Sequence, residues 1–162
     1  MPRTITIALL AVLCFCNCME AQDRPDLSGT WKLNLAKSDY GDTPGPSSRT
    51  DTIEQRGESI SEGVVSVYRN KPQSYTLAFS TDGQKTILPS GVRVNIGSTT
   101  LKSISASWQG SSLVVTEILN FQDSVLPAKN TYTLSGDGST LTIAVSLGGG
   151  DTAFQYVFDR VP

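Results

Sequence analysis

From residue 29 to residue 161, apolar and polar residues alternate with period two in short segments, each ended by a turn signal. This pattern constrains the chain to an all-β fold. The cleanest case has Tyr75, Leu77 and Phe79 on one face and Thr76, Ala78 and Ser80 on the other, followed by Asp82-Gly83, a hairpin dipeptide. Further turn signals fall at 56–58, 70–73, 97–98, 109–111, 136–138 and 148–151. Pro89-Ser90-Gly91 predicts a break between segments 84–88 and 92–96, residues 122–127 read as a longer connection, and Gly63 reads as a bulge. Gly148-Gly149-Gly150 precedes a strand, so it reads as a hairpin turn and not as a phosphate loop, which feeds a helix. The result is about eight to ten strands with a turn roughly every 8–12 residues, and no long helix after residue 22. Short turns make sequential strands neighbours, giving an antiparallel up-and-down β-barrel. A barrel of this size is either filled by side chains or holds one small ligand.

The two ends of the pattern fit together. Trp31, Leu33 and Leu35 alternate with Thr30, Lys32 and Asn34, which predicts a first strand with the first three inward. Phe154, Tyr156, Phe158 and Arg160 share one parity on the last strand. Pairing first strand with last closes the barrel and lets Arg160 lie over the Trp31 indole as a cation–π pair. Gly29, two residues before Trp31, leaves room for a close approach.

A G-x-W opening strand with an arginine on the last strand resembles the calycin superfamily of lipocalins, fatty-acid-binding proteins and avidins. The chain is most similar to short secreted bacterial lipocalin-like domains. These carry a G-T-W-K-L-N start, a T-D-G-K-type hairpin, a W-x-G-x-x-L-V-V segment and an L-S-x-D-G-x-x-L-T-I segment. The counterparts here are residues 29–34, 81–84, 108–115 and 134–143. The resemblance implies a lipocalin-like barrel whose mouth lies away from the Trp–Arg end. Two family features are missing. Residues 38–48 are Gly-, Pro-, Asp- and Ser-rich where fatty-acid-binding proteins carry two short helices, and the last strand lacks their Arg-x-Tyr carboxylate clamp. That argues against a fatty acid as the specific ligand. With two Trp in the whole chain, an avidin-like biotin cage is not expected either.

The first 21 residues read as a secretory signal peptide: a basic start at Arg3, an apolar stretch over 5–18, and Met19-Glu20-Ala21 as the cleavage site. Residues 22–162 then form one lipocalin-like domain, long enough to bury roughly 68% of its unfolded surface without staples. All three cysteines, Cys14, Cys16 and Cys18, fall in the leader, so the mature domain has no disulfide. Leu13, Phe15 and Asn17 precede them where lipoprotein processing prefers a small residue, so a lipid anchor is not expected. The expected location is secreted or periplasmic. A net charge of −2 without any basic run gives no footprint for nucleic acid.

The chain has no histidine, and without the leader no cysteine. This removes Ser-His-Asp and Cys-His nucleophiles, imidazole general bases and ordinary zinc sites. The expectation is a binding protein, not an enzyme, with no cofactor and no metal. An isomerase or cyclase built on Glu117 and a tyrosine ranks last among the readings. The expected ligand is small and hydrophobic or amphipathic, held in the barrel. The alternative is an envelope-associated structural or protein-interaction barrel filled by its own side chains. Candidate ligand contacts are the inward aromatics Tyr75, Phe79, Tyr132 and Tyr156, with Tyr hydroxyls offered to a polar end. Glu117 is in phase with Leu113, Val115, Leu119 and Phe121, so it is paired, with Arg93 able to supply the charge, or protonated, or turned to water by a bulge or strand end. Tyr40, in the 38–48 loop after the first strand, is the expected aromatic contact of a loop that flanks and gates the mouth. Expression of the full chain in a secreting bacterium should release a product that begins at Gln22, read by N-terminal sequencing; an exported product retaining Met1 would rule the leader out.

Overall fold

The computed structural model describes residues 24–93, 99–121 and 124–162, apart from the side chains of residues 89–91 and 93. The expected leader, residues 1–21, lies outside the described residues. Ten strands follow one another: β1 (Gly29–Leu33), β2 (Ser48–Arg56), β3 (Ser59–Tyr68), β4 (Lys71–Ser80), β5 (Thr86–Arg93), β6 (Thr100–Gln109), β7 (Ser112–Phe121), β8 (Ser124–Leu134), β9 (Thr140–Leu147) and β10 (Thr152–Val161). All lie in one antiparallel sheet in the order β4-β3-β2-β1-β10-β9-β8-β7-β6-β5. The sheet is a nearly closed up-and-down barrel, with no helix among the described residues. Its two edges are the sequential strands β4 and β5, and the chain crosses between them beside β6. There Asp82 pairs with Ser107, and the Gly83 N–H donates to the Ala106 carbonyl at 2.8 Å.

The β1–β10 seam holds the barrel together. Trp31 is opposite Arg160, and Leu33 is opposite Phe158. The Arg160 guanidinium lies 4.2 Å from the centre of the Trp31 ring. Its Nη1 donates to the Ser28 carbonyl and its Nε to the Gly138 carbonyl, both at 2.7 Å. The second bond explains the S-x-D-G turn before β9. Asp137 Oδ1 accepts from the Ser135 hydroxyl and the Ser139 N–H at 2.6 and 3.0 Å, which fixes the turn and points the Gly138 carbonyl at Arg160. Gly29 has φ +144°, and a Cβ there would lie 2.6 Å from Arg160 Nη1, so only glycine fits without displacing the guanidinium.

The lead-in to β1 seals this end. The Trp31 Nε1–H donates to the Leu27 carbonyl at 2.9 Å, and Leu27 itself is 1% exposed. Gln55 clamps the segment from the side, accepting from the Leu27 N–H at 3.1 Å and donating to the Pro25 carbonyl at 3.3 Å. Above this seal the inward faces form one apolar core that includes Ile53, Ile60, Leu101, Leu113, Leu141 and Phe158.

Several local expectations need correction. Leu35 is exposed, because β1 ends at Leu33. Asn34 turns the chain: its carbonyl accepts from the Ser38 N–H at 3.1 Å and its Oδ1 from the Lys37 N–H at 3.1 Å. Gly63 is not a bulge, since β2 and β3 pair without a register shift from Ser48–Val67 to Arg56–Ser59. The turn expected at 70–73 is tighter and lies at Arg69 and Asn70, with φ of 50° and 62°, as a two-residue hairpin requires. Pro72 is thereby left inside β4, an edge strand, where its missing N–H costs no ladder bond. Residues 89–91 do not split the strand: β5 runs to Arg93 with a register shift between Ile87 and Val92, while residues 94–96 lie outside the described residues. The connection expected over 122–127 is shorter, because β8 already begins at Ser124.

Trp31→Ala should lower stability by about 3–5 kcal/mol, the usual cost of removing a large buried aromatic. Gly29→Ala should also destabilise, by forcing Arg160 away. Urea unfolding followed by circular dichroism measures both, and an unchanged midpoint for Trp31→Ala would remove the seam's role.

Candidate functional site

Strands β2 and β3 carry charge on their inward faces. On β2, Arg49, Asp51, Ile53 and Gln55 share one side, and on β3 Ile60, Glu62, Val64 and Ser66 do so. Asp51 and Glu62 are 0% and 1% exposed. Arg49 and Asp51, two residues apart on one face, form a bidentate pair: Nε to Oδ1 at 2.8 Å and Nη2 to Oδ2 at 2.7 Å. The same guanidinium lies over the rings of Tyr156 and Phe158, 4.9 and 5.5 Å from their centres. Glu62 Oε1 is 3.8 Å from Arg49 Nη2. Its other oxygen accepts from the Tyr132 hydroxyl at 2.9 Å, a bond across the interior between β3 and β8.

Of these groups, Arg49, Glu62, Tyr132 and Tyr156 line a cavity of about 80 Å3 together with Tyr75, Glu117, Asn130 and the apolar residues Leu77, Leu119, Ile143 and Phe154, while Asp51 and Phe158 are not part of its lining. Glu117 is therefore turned inward, not to water. Its hydrogen-bond partner is Asn130, and the cation it senses is Arg49. The side chain of Arg93, the expected partner, lies outside the described residues.

Burial sets the protonation states here. It pushes Glu62 up to about 8, and the nearby Asp51 charge adds to this, against Arg49 and the Tyr132 hydrogen bond. Burial also raises Glu117, opposed by Asn130 and Arg49. For Arg49 burial works against the charge, but Asp51 overcomes it and holds the group firmly cationic. Burial raises Tyr75, Tyr132 and Tyr156 too, so all three enter the cavity as neutral phenols able to donate.

The 38–48 loop lies over this part of the barrel. Asp39 pairs with Gln155 through two backbone hydrogen bonds of 2.9 and 2.6 Å. Gln155 is five residues up β10 from Arg160, roughly 17 Å along the strand, so the loop sits away from the Trp31 seal. The Tyr40 ring lies on Gly45 and meets Tyr156 with ring centres 5.6 Å apart. Beneath the loop is a second pocket of about 40 Å3, which shares Phe154 and Tyr156 with the larger cavity.

Of the residues singled out from sequence, Tyr75, Glu117, Tyr132 and Tyr156 meet in one cavity, and Tyr40 adjoins it through Tyr156. Phe79 faces inward on the same side of β4 as Tyr75, but packs in the core opposite Ile60 and does not line the cavity. Sequence reasoning missed Arg49, Asp51, Glu62 and Asn130. Their signal was parity: Glu62 is in phase with Ile60 and Val64, and Asp51 with Ile53. A bulge at Gly63 would separate the phases of Glu62 and Val64.

No family model matches the chain, and no curated protein matches it. Solved structures do match in fold. Human cRBP IV, a cellular retinol-binding protein, superposes with a TM-score of 0.58 at 19% identity over 85% of this chain and 99% of that one. A secretory abundant heat soluble protein from Ramazzottius varieornatus gives 0.57 at 13%, over 83% and 94%. A Schistosoma mansoni fatty acid binding protein in complex with arachidonic acid gives 0.55 at 17%, over 84% and 96%.

The pH dependence of stability follows from Glu62. Its folded-state value lies above that of an unfolded glutamate, so the folded state holds the extra proton between about 4.5 and 8. Stability therefore falls as pH rises through that window and levels off above it. The chain has no histidine, and the raised Glu117 acts in the same direction. Urea midpoints at pH 5.5, 7 and 8.5 should decline in that order, and Glu62→Gln should flatten the decline and be more stable than the parent at pH 8.5.

Proposed function

We propose that this chain, which has the calycin barrel fold, is a binding protein that holds one small amphipathic molecule in its interior. The polar end would meet Glu62, Glu117 and Tyr132, and the apolar part would run past Tyr156 and Phe154 toward the 38–48 loop. The observation that carries this reading is the buried polar cluster lining a cavity in an otherwise apolar barrel. Burying two carboxyls held above their ordinary range is costly for a core, and clusters of perturbed groups gather at functional sites. The fold neighbours named for retinol and fatty acid binding support a hydrophobic ligand in general. Binding, with no reaction, is the role we infer. Residues 1–21 are proposed as an export leader, residues 22–162 as the barrel, and the location as secreted or periplasmic.

A second reading rests on volume. The cavity of about 80 Å3 is well below the roughly 300 Å3 at which ligand pockets begin, which favours a filled, structural barrel. For the binding reading, entry requires Tyr40 to lift from Tyr156, joining the pocket beneath the loop to the cavity. Titration of isotope-labelled protein with 1-dodecanol, followed by heteronuclear NMR, distinguishes the two. Binding predicts saturable one-to-one shifts at Tyr75, Glu117 and Tyr156, with faster exchange after deletion of residues 42–46. Absence of any saturable interior shift would favour the filled barrel.

A further inference from the structure

The charge count of the cavity selects the head group. Among the described residues, the cavity is lined by two carboxyls, Glu62 and Glu117, and one guanidinium, Arg49, which a third inward carboxyl, Asp51, pairs from outside the lining. Asp51 occupies that guanidinium with two hydrogen bonds, and Tyr156 covers it. Glu62 meets that guanidinium only at 3.8 Å, without a hydrogen bond, and Glu117 is hydrogen-bonded to Asn130 instead. Glu62 is 1% exposed, and its Oε1 has no hydrogen-bond partner among the described residues although the side chain lines the cavity. An open buried acceptor costs free energy that an incoming donor recovers.

We propose that the cavity recognises a protonated primary amine on an apolar tail, with the ammonium between Glu62 and Glu117. This rests on the binding function proposed above. An ammonium brings three N–H donors and the missing positive charge. An alcohol brings one donor and no charge. A carboxylate would add a fourth acidic group against a cation already bridged. Tyr75 and Tyr132, both neutral phenols, complete the polar wall, and Tyr156 and Phe154 receive the tail.

Binding is then linked to pH. The groups facing Glu62 are Arg49 and Asp51 from β2, Tyr75 from β4, Glu117 from β7 and Tyr132 from β8. Between pH 6 and 8 an arriving ammonium displaces the Glu62 proton, so affinity climbs with pH, by up to tenfold per unit.

Dodecylamine, 1-dodecanol and dodecanoate, three heads on one tail, test this by calorimetric titration at pH 8. Dodecylamine should bind at least tenfold tighter than 1-dodecanol, with dodecanoate weakest. Glu62→Gln should weaken dodecylamine at least tenfold and flatten its pH dependence, while 1-dodecanol stays within threefold; its unfolding midpoint reports whether the fold is kept. Glu117→Gln should act in the same direction. Glu54→Gln, an exposed carboxylate on the outer face of β2, should change nothing and controls for general attraction of amines. Dodecanoate binding as tightly as dodecylamine, or dodecylamine indifferent to Glu62→Gln, would overturn the head-group assignment and leave the binding function standing. If none of the three binds, both fall.

Discussion

The Trp31–Arg160 contact is the constraint on which the barrel depends. A guanidinium on an indole is worth about 0.5–2 kcal/mol by itself, but here it also joins four pieces of chain. Arg160 bonds the Ser28 carbonyl at the start of β1 and the Gly138 carbonyl in the turn before β9. Trp31 bonds Leu27 in the lead-in, which Gln55 of β2 clamps in place. Gly29 and the Asp137 turn are shaped around this contact. One end of the barrel is thereby sealed and fixed, and the 38–48 loop lies away from it.

The interior follows a different logic. Burying Arg49, Asp51 and Glu62 near one another is tolerable because each limits the penalty of the others. Arg49 and Asp51 cancel, and Glu62 avoids a bare charge by keeping its proton and taking the Tyr132 hydrogen bond. Such an arrangement gives a barrel an interior whose electrostatics vary across neutral pH without an imidazole. It also places the adjustable group, Glu62, deep among β3, β4 and β8, while Tyr40 packs on Tyr156 at the rim.

Much of this was legible in the sequence. The alternation is local, so the strands and their up-and-down order could be read from short windows, and the inward parity of Tyr75, Tyr132 and Tyr156 came with them. The first-to-last pairing came instead from matching Trp31 with Arg160 at the two ends. Leu35 was misread because Asn34 ends the strand with its own side-chain hydrogen bond, which outweighs one more residue of alternation. Glu62 and Asp51 were missed for another reason. A charged residue in an inward phase reads as a bulge or an exposed edge unless its partners are known, and the partner of Glu62 is Tyr132, seventy positions away. No local window contains that pair. Phe79 shows that parity gives the face but not the height within the barrel.

The sheet order also divides the molecule into two meanders, β1–β4 and β5–β10, and the β1–β10 ladder is the seam where their sheets join. Within each meander every pairing is between sequential strands, so loop closure costs little. The seam joins residues about 130 positions apart, and the order of assembly follows from that difference. Each half can form on its own short-range contacts and then wait with an unpaired edge, β1 on one and β10 on the other. Until they meet, those edges are open to pairing with another copy of the chain. Until β1 is beside it Arg160 holds only the Gly138 carbonyl of its own half and has neither the Trp31 ring nor the Ser28 carbonyl, so the contact that seals the finished barrel does nothing to protect the unfinished one.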